Sequence, residues 1–210
     1  MTGQRTALLS TTYFGPVQWY QKLHRYGEVR LECHDHFVKQ TYRNRCLIAS
    51  AQGVQALTVP VIHDGTADIR DVRISDHGNW RHLHWNALCS AYGDSPFFEF
   101  YADDLAPFFE RRWTFLLDFN EEIMAMMCRL LDIHPHITPT EVYWSAEMVE
   151  REGNTDDFRE VIRPKHPLPD ADFLPKRYYQ VFEQKQGFLP NLSILDLLMN
   201  EGNESIFYLD

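Results

Sequence analysis

The chain has 210 residues, enough to bury a sizeable core, and its 44% hydrophobic and 14% aromatic content is that of a globular protein rather than a disordered one. Thirty acidic against twenty basic residues give a net charge of −10, a diffuse field that repels nucleic acid and anionic membrane, so an anionic ligand has to meet a local basic site. No apolar run reaches the roughly 20 residues of a spanning helix, the N-terminus lacks a signal-peptide core, and Cys33, Cys46, Cys89 and Cys128 form no C-x-x-C pair; these features predict a cytoplasmic protein with reduced thiols, at least some of them in the core.

In chain order, "ALLST" (7–11) suits a buried strand that Gly15 and Pro16 end. Val17, Tyr20, Leu23 and His24 recur at helical spacing up to Gly27, and "EVRLECH" resumes an extended pattern. Strand, helix, strand predicts a parallel, Rossmann-like βαβ unit and an α/β fold. "RCLIAS", "VQALTVPVI" and "ADIRDVRIS" read as short strands separated by turns at "AQG" and "HDG". From Trp80 the period changes, and "WRHLHWNALCSAYG" and "APFFERRWTFLLDFNEEIMAMMCRLLDI" predict a helical second half, with a boundary at Asp118 or Asn120. Residues 151–175, charged and proline-rich, read as a surface loop. In the tail, Asn191 or Ser193 caps a helix that Gly202 ends, so the C-terminal segment docks on the core. These elements predict one domain over 1–210.

Positive charge concentrates in "FVKQTYRNR". If that stretch is extended, Lys39, Thr41, Arg43 and Arg45 share one face and can hold a phosphate or carboxylate; the competing reading pairs the arginines with surface carboxylates. Three H-x-H pairs occur, His34/His36, His82/His84 and His134/His136, and only the first keeps chelating geometry, without a third ligand, so no metal site is assigned. His84 beside Trp85 is a candidate general acid or base against an aromatic wall, or a hydrogen-bonded core histidine. Cys46 beside Arg45 is a candidate nucleophile. The motifs G-x-S-x-G, G-x-G-x-x-G, H-E-x-x-H and the P-loop are missing, and no cofactor is indicated.

Five ordered blocks, "TTYFGPVQWYQKL", "VKQTYRNRCLI", "LTVPV", "WRHLHWNALCSAYGDSPFFEFY" and "GFLPNLSILDLLMNEG", resemble the WbqC-like protein family over essentially the whole chain. The family blocks fall on Tyr13, Phe14, Pro16, Arg43, Asn44, Arg45, Thr58, Pro60, His84, Trp85, Tyr92 and Pro96. The chain departs from the family at "HDHFVKQ", where acidic residues common before the R-N-R block are mostly missing. The N-terminal strand, loop and helix also look like the opening of nucleotidyltransferase-type domains, without their H-x-G-H signature.

The family takes its name from proteins encoded among bacterial O-antigen and surface-polysaccharide genes. The resemblance implies a role in that biosynthesis, as a transferase acting on a nucleotide-linked sugar or another phosphorylated metabolite. Lys39, Arg43 and Arg45 would hold the anionic group, Asn44 and Tyr42 its sugar or carbonyl, and His84 would move the proton. Tyr13 and Trp85 complete the substrate-binding set. The alternative is a non-catalytic protein of the same pathway that binds the ligand or a partner enzyme. The expected partner is an anionic small molecule, with no nucleic acid and no membrane span, and a homo-oligomer stays open.

Overall fold

The computed structural model describes residues 5–62 and 68–210, and its architecture is α/β. Thr6–Ser10 form β1, Val17–Arg25 form α1 and Glu28–Glu32 form β2. Arg45–Ser50 (β3) and Gly53–Thr58 (β4) make an antiparallel hairpin, and Val61–Ile62 (β5) pairs antiparallel with Arg73–Ile74 (β6). Three helices follow, Trp80–Tyr92 (α2), Phe98–Glu110 (α3) and Leu116–Leu130 (α4). Then come Ile137–Pro139 (β7), Ala146–Glu152 (α5), Thr155–Asp157 (β8), Glu183–Gln186 (α6) and Ile194–Glu201 (α7).

The central sheet runs β7-β2-β1-β8 and is parallel throughout. From β1 the chain first moves to one side, through β2 to β7, and then returns to the other side with β8. The order therefore reverses between β1 and β8, which makes that pair a topological switch point.

α1 is buried along nearly its whole circumference, Gln18, Gln21 and Lys22 included, because elements distant in sequence cover its polar face. Asp170 reaches Gln18 Nε2 and Lys22 Nζ, both at 2.8 Å. The first amides of α1 are closed by the C-terminal segment: Val17 N–H donates to the Leu192 carbonyl and Gln18 N–H to Asn191 Oδ1, each at 3.0 Å. That segment is docked as expected, with Ser193 Oγ donating to the Phe14 carbonyl and capping α7. Gly202 ends α7 at φ +56, where a Cβ would lie 2.7 Å from the Phe97 ring, so both the conformation and the close approach require glycine.

Several boundaries differ from the sequence reading. The break between α3 and α4 falls at 111–115 rather than at Asp118 or Asn120. Backbone pairing fixes it: Ile74 N–H bonds the Thr114 carbonyl, and Leu116 N–H bonds the Val72 carbonyl. "ADIRDVRIS" holds a 3-10 turn at Ile69–Asp71 before the two-residue β6. The turn expected at "HDG" lies outside the described residues. Part of the stretch read as a loop is β8, a polar edge strand recruited by β1 with Thr6 opposite Thr155 and Leu8 opposite Asp157. Residues 151–152 complete α5, and the chain after β8 is a strap pinned by Lys165 to Gln40, Asp170 to Lys22 and Lys176 to the Phe207 carbonyl. A contiguous core runs from Ala7 to Leu209, and aromatic pairs such as Tyr13 on Phe119 at 5.7 Å tie α4 to the end of β1. Among the described residues, no helix is long and apolar enough to cross a membrane.

Candidate functional site

In open parallel sheets, ligands bind outside the carboxyl ends of the strands at the switch point. Here that position is a crevice with two chambers. The outer one, about 440 Å³, is lined by His34, Asp35 and His36 after β2, by Tyr143 after β7, and by Asp157, Arg159 and Glu160 at the end of β8. The inner one, about 10 Å³, is large enough for one water molecule and lies among Ser10, Thr11, Thr12, Trp19, Thr41 and Arg163. Arg43 and Arg159 line both.

The two arginines are held differently. Arg43 is ion-paired with Asp35, and its Nη2 also donates to Ser10 Oγ at 2.9 Å, while Ser10 Oγ donates to Asp35 Oδ2 at 3.2 Å. The backbone under it is equally constrained, because three consecutive carbonyls are taken by three distant elements. The Tyr42 carbonyl accepts from Tyr13 N–H at 2.8 Å, the Arg43 carbonyl from Asn120 Nδ2 at 2.8 Å, and the Asn44 carbonyl from Val59 N–H at 2.8 Å. Arg159 grips Asp157 through Nε and Nη2, at 2.9 and 2.6 Å, and Glu32 through Nη1 at 3.1 Å, and its guanidinium lies 5.2 Å from the centre of the Tyr143 ring.

Glu32 is 0% exposed and accepts from four donors: His34 N–H, Thr140 Oγ1, Trp144 N–H and Arg159 Nη1. One carboxylate thus joins the loops after β2, β7 and β8, which are the walls of the outer chamber. Arg163 is paired with Glu160. With Asp35, Asp157 and Glu160 set against Arg43, Arg159 and Arg163, the crevice lining is charge-balanced rather than cationic. It presents planar forks of both signs, threonine and serine hydroxyls and an aromatic ring.

The residues expected to share one strand face do not share it. The backbone turns over 39–43, with Gln40 in the left-handed region at φ 62, and β3 begins only at Arg45. Arg43 turns inward to the crevice, Lys39 points to solvent, and Arg45 Nε donates to Thr58 Oγ1 at 3.0 Å. Tyr42 lines the inner chamber, and burial pushes its hydroxyl up to about 12, with the Cys46 thiol adding to the shift. Asn44 Nδ2 donates to the Val59 carbonyl, and Trp85 packs between Phe98 and Phe109.

His84 is buried between Trp80 and Tyr13, with Nδ1 2.8 Å from the Tyr13 hydroxyl, and it is not a crevice-lining residue. Burial depresses its pKa to about 4, partly offset by a bond to the Thr58 backbone carbonyl. A neutral ring bonded to both groups carries its proton toward Thr58 and accepts the Tyr13 hydroxyl at Nδ1. Cys46 is not an activated nucleophile, because full burial raises its pKa far above the ordinary thiol range. All four cysteines are free thiols, three of them buried. Among the described residues, no three His, Cys, Asp or Glu side chains form a metal-binding group.

The sequence reading missed Ser10, Asp35, Glu32, Tyr143 and Arg159. An acidic or hydroxyl residue toward or just past the carboxyl end of a predicted strand of the βαβ unit was the available signal for the first three. Nothing local marked the other two.

The WbqC-like protein family matches residues 11–161, from the residue after β1 to just past the end of β8. The chain belongs to the WbqC-like protein family. The matched span contains Arg43 and Asp35 and extends through Arg159 and Glu160, so nearly the whole crevice wall lies inside the family region. Among curated proteins, this WbqC-like chain is similar to one from Mycobacterium tuberculosis (strain ATCC 25618 / H37Rv) described as "Uncharacterized protein Rv1507c", 30% identical over 198 residues that cover 82% of this chain and 83% of that protein. No solved structure matches it.

Proposed function

We propose that this WbqC-like protein is a group-transfer enzyme of bacterial surface-polysaccharide assembly, and that it binds a nucleotide-linked sugar or a sugar phosphate in the crevice between β1 and β8. The observation that carries the reading is the coincidence of the switch point with the converging Ser10, Asp35, Arg43, Asp157 and Arg159. A charge-balanced wall of carboxylate and guanidinium forks suits a polyhydroxylated ligand, whose hydroxyls both donate and accept, better than a bare polyanion. The N–H groups of Arg159 and Arg163 not used within the protein take the phosphoryl oxygens. Tyr143 supplies a face for the sugar or base.

His34 and His36, which line the outer chamber, are the proton-moving candidates at this position. His84 acts from the core by fixing Tyr13 and the loop after β1. Tyr42 bounds the inner chamber.

The test is thermal stabilisation by a panel of nucleotide sugars, free nucleotides, sugar phosphates and acyl-CoA, repeated on Arg163→Ala and Asp35→Asn. A ligand at a hundred times its Kd adds about 2.7 kcal/mol. Stabilisation by one class, lost in both variants, supports the reading; a panel without effect contradicts it. Binding without turnover in the presence of an acceptor favours the non-catalytic alternative.

A further inference from the structure

We propose that the protein carries a second ligand site, a phosphate-binding cavity at the opposite end of the parallel sheet from the crevice. The cavity measures about 600 Å³ and is walled by Arg5 just before β1, by the end of α1 from Lys22 to Gly27, by His134, Pro135 and His136 just before β7, and by Asp172 of the strap. The five residues of β1, about 17 Å at strand rise, separate it from the crevice.

Its lining differs in sign from the rest of the molecule. In a chain of net charge −10, six of its side chains, Arg5, Lys22, His24, Arg25, His134 and His136, are cationic or become so on protonation, and Asp172 is the one acidic residue in the wall. Five of the six have acidic partners just outside: Arg5 has Asp156, Lys22 has Asp170 at 2.8 Å, His24 has Asp210 at 3.1 Å, His134 has Asp132 at 3.2 Å and His136 has Glu28 at 2.6 Å. Tyr26, also in the wall, donates its hydroxyl to Asp156 at 2.8 Å, which takes up that carboxylate further.

Arg25 is the exception. Its Nη1 donates to the backbone carbonyl of Asp172 at 2.9 Å, and it pairs with no carboxylate among the described residues. One bond to a neutral carbonyl leaves the charge of this cavity-lining guanidinium and most of its five donors for a ligand. A phosphate oxygen pair is the group whose geometry matches that fork. Arg43 at the crevice is neutralised by Asp35, whereas Arg25 at this cavity bonds only a neutral carbonyl. The His134/His136 pair, which no step at the crevice uses, flanks the same phosphate position.

The experiment is isothermal titration of the full chain with inorganic pyrophosphate at low ionic strength, run on the native protein and on Arg25→Ala, His136→Gln, Arg159→Lys and Arg151→Ala, with melting curves to establish that each is folded. Arg151 is an exposed arginine on α5 and serves as the charge-matched control. The expected result is binding that weakens about tenfold or more in Arg25→Ala, the loss typical of a charge-assisted hydrogen bond, and less in His136→Gln, while Arg151→Ala matches the native protein and Arg159→Lys loses less than Arg25→Ala. Should Arg25→Ala not fold, His136→Gln against Arg151→Ala carries the comparison alone. Native protein that does not bind pyrophosphate, equal affinity in Arg25→Ala and Arg151→Ala, or loss confined to Arg159→Lys would overturn the assignment, the last by moving the anion to the crevice.

Discussion

Replacing His84 by glutamine tests whether that side chain is a neutral core group. In the native state its pKa is about 4, against 6.5 for an unburied imidazole, because burial penalises the charged ring. Between those values the unfolded chain binds a proton that the native state refuses, so the stability His84 contributes is full above about pH 6.5 and falls as pH drops toward 4. Going from about pH 7 to about pH 4.5, that difference amounts to roughly 2.5 kcal/mol. Asp196 works in the opposite direction: burial raises its pKa to about 6 despite bonds from Tyr178 and Gln180, so its native state keeps a proton the unfolded chain loses, and stability falls as pH rises from about 4 to about 6. The two slopes oppose each other in the native protein, and His84→Gln removes one of them. Urea unfolding of both proteins at the two pH values should show the variant losing about 2.5 kcal/mol less than the native protein on acidification. A stability difference that is the same at both pH values, or an imidazole that titrates near 6.5 by NMR, would refute the buried, neutral assignment.

Three further outcomes are expected. Asp170→Ala leaves the Lys22 ammonium, 1% exposed, without its counter-ion and should cost about 3–5 kcal/mol in chemical denaturation. Burial alone would raise the Asp170 pKa, but the bonds from Lys22 and Gln18 outweigh it and hold it below the usual carboxylate range, so this contribution is present above about pH 4 and is lost as pH falls through the depressed value. Glu32→Ala strands Arg159 and two backbone amides and should lower stability by about 3 kcal/mol or more, with ligand response at the crevice lost even where the protein stays folded. Iodoacetamide should label half-exposed Cys89 in the native protein, while Cys33, Cys46 and Cys128 react only after unfolding, as read by mass spectrometry.

The N-terminal βαβ unit was legible because β1 is an apolar run, β2 alternates charged and apolar residues, and α1 is bounded by Pro16 and Gly27. β7 and β8 were not, since strands of three residues such as "TDD" carry no periodic apolar signal and exist only because β1 and β2 offer them backbone partners. The same holds for the polar face of α1: Gln18 and Lys22 fall outside the apolar spacing, and what buries them includes Asp170, about 150 positions later. At the site, Arg43 was legible as a special cation, but its pairing with Asp35 depends on a turn at Gln40 that composition does not reveal. Arg159 was invisible for a simpler reason, since it follows a strand that the pattern does not announce.

Hydrogen–deuterium exchange with and without the nucleotide sugar or sugar phosphate that best stabilises the protein tests the central claim most directly. Slowed exchange confined to peptides covering 10–13, 34–43 and 157–163 is the result expected of a ligand in the crevice at the carboxyl ends of β1, β2 and β8. Protection at 22–27 and 134–136 instead, with the crevice peptides unchanged, would contradict it.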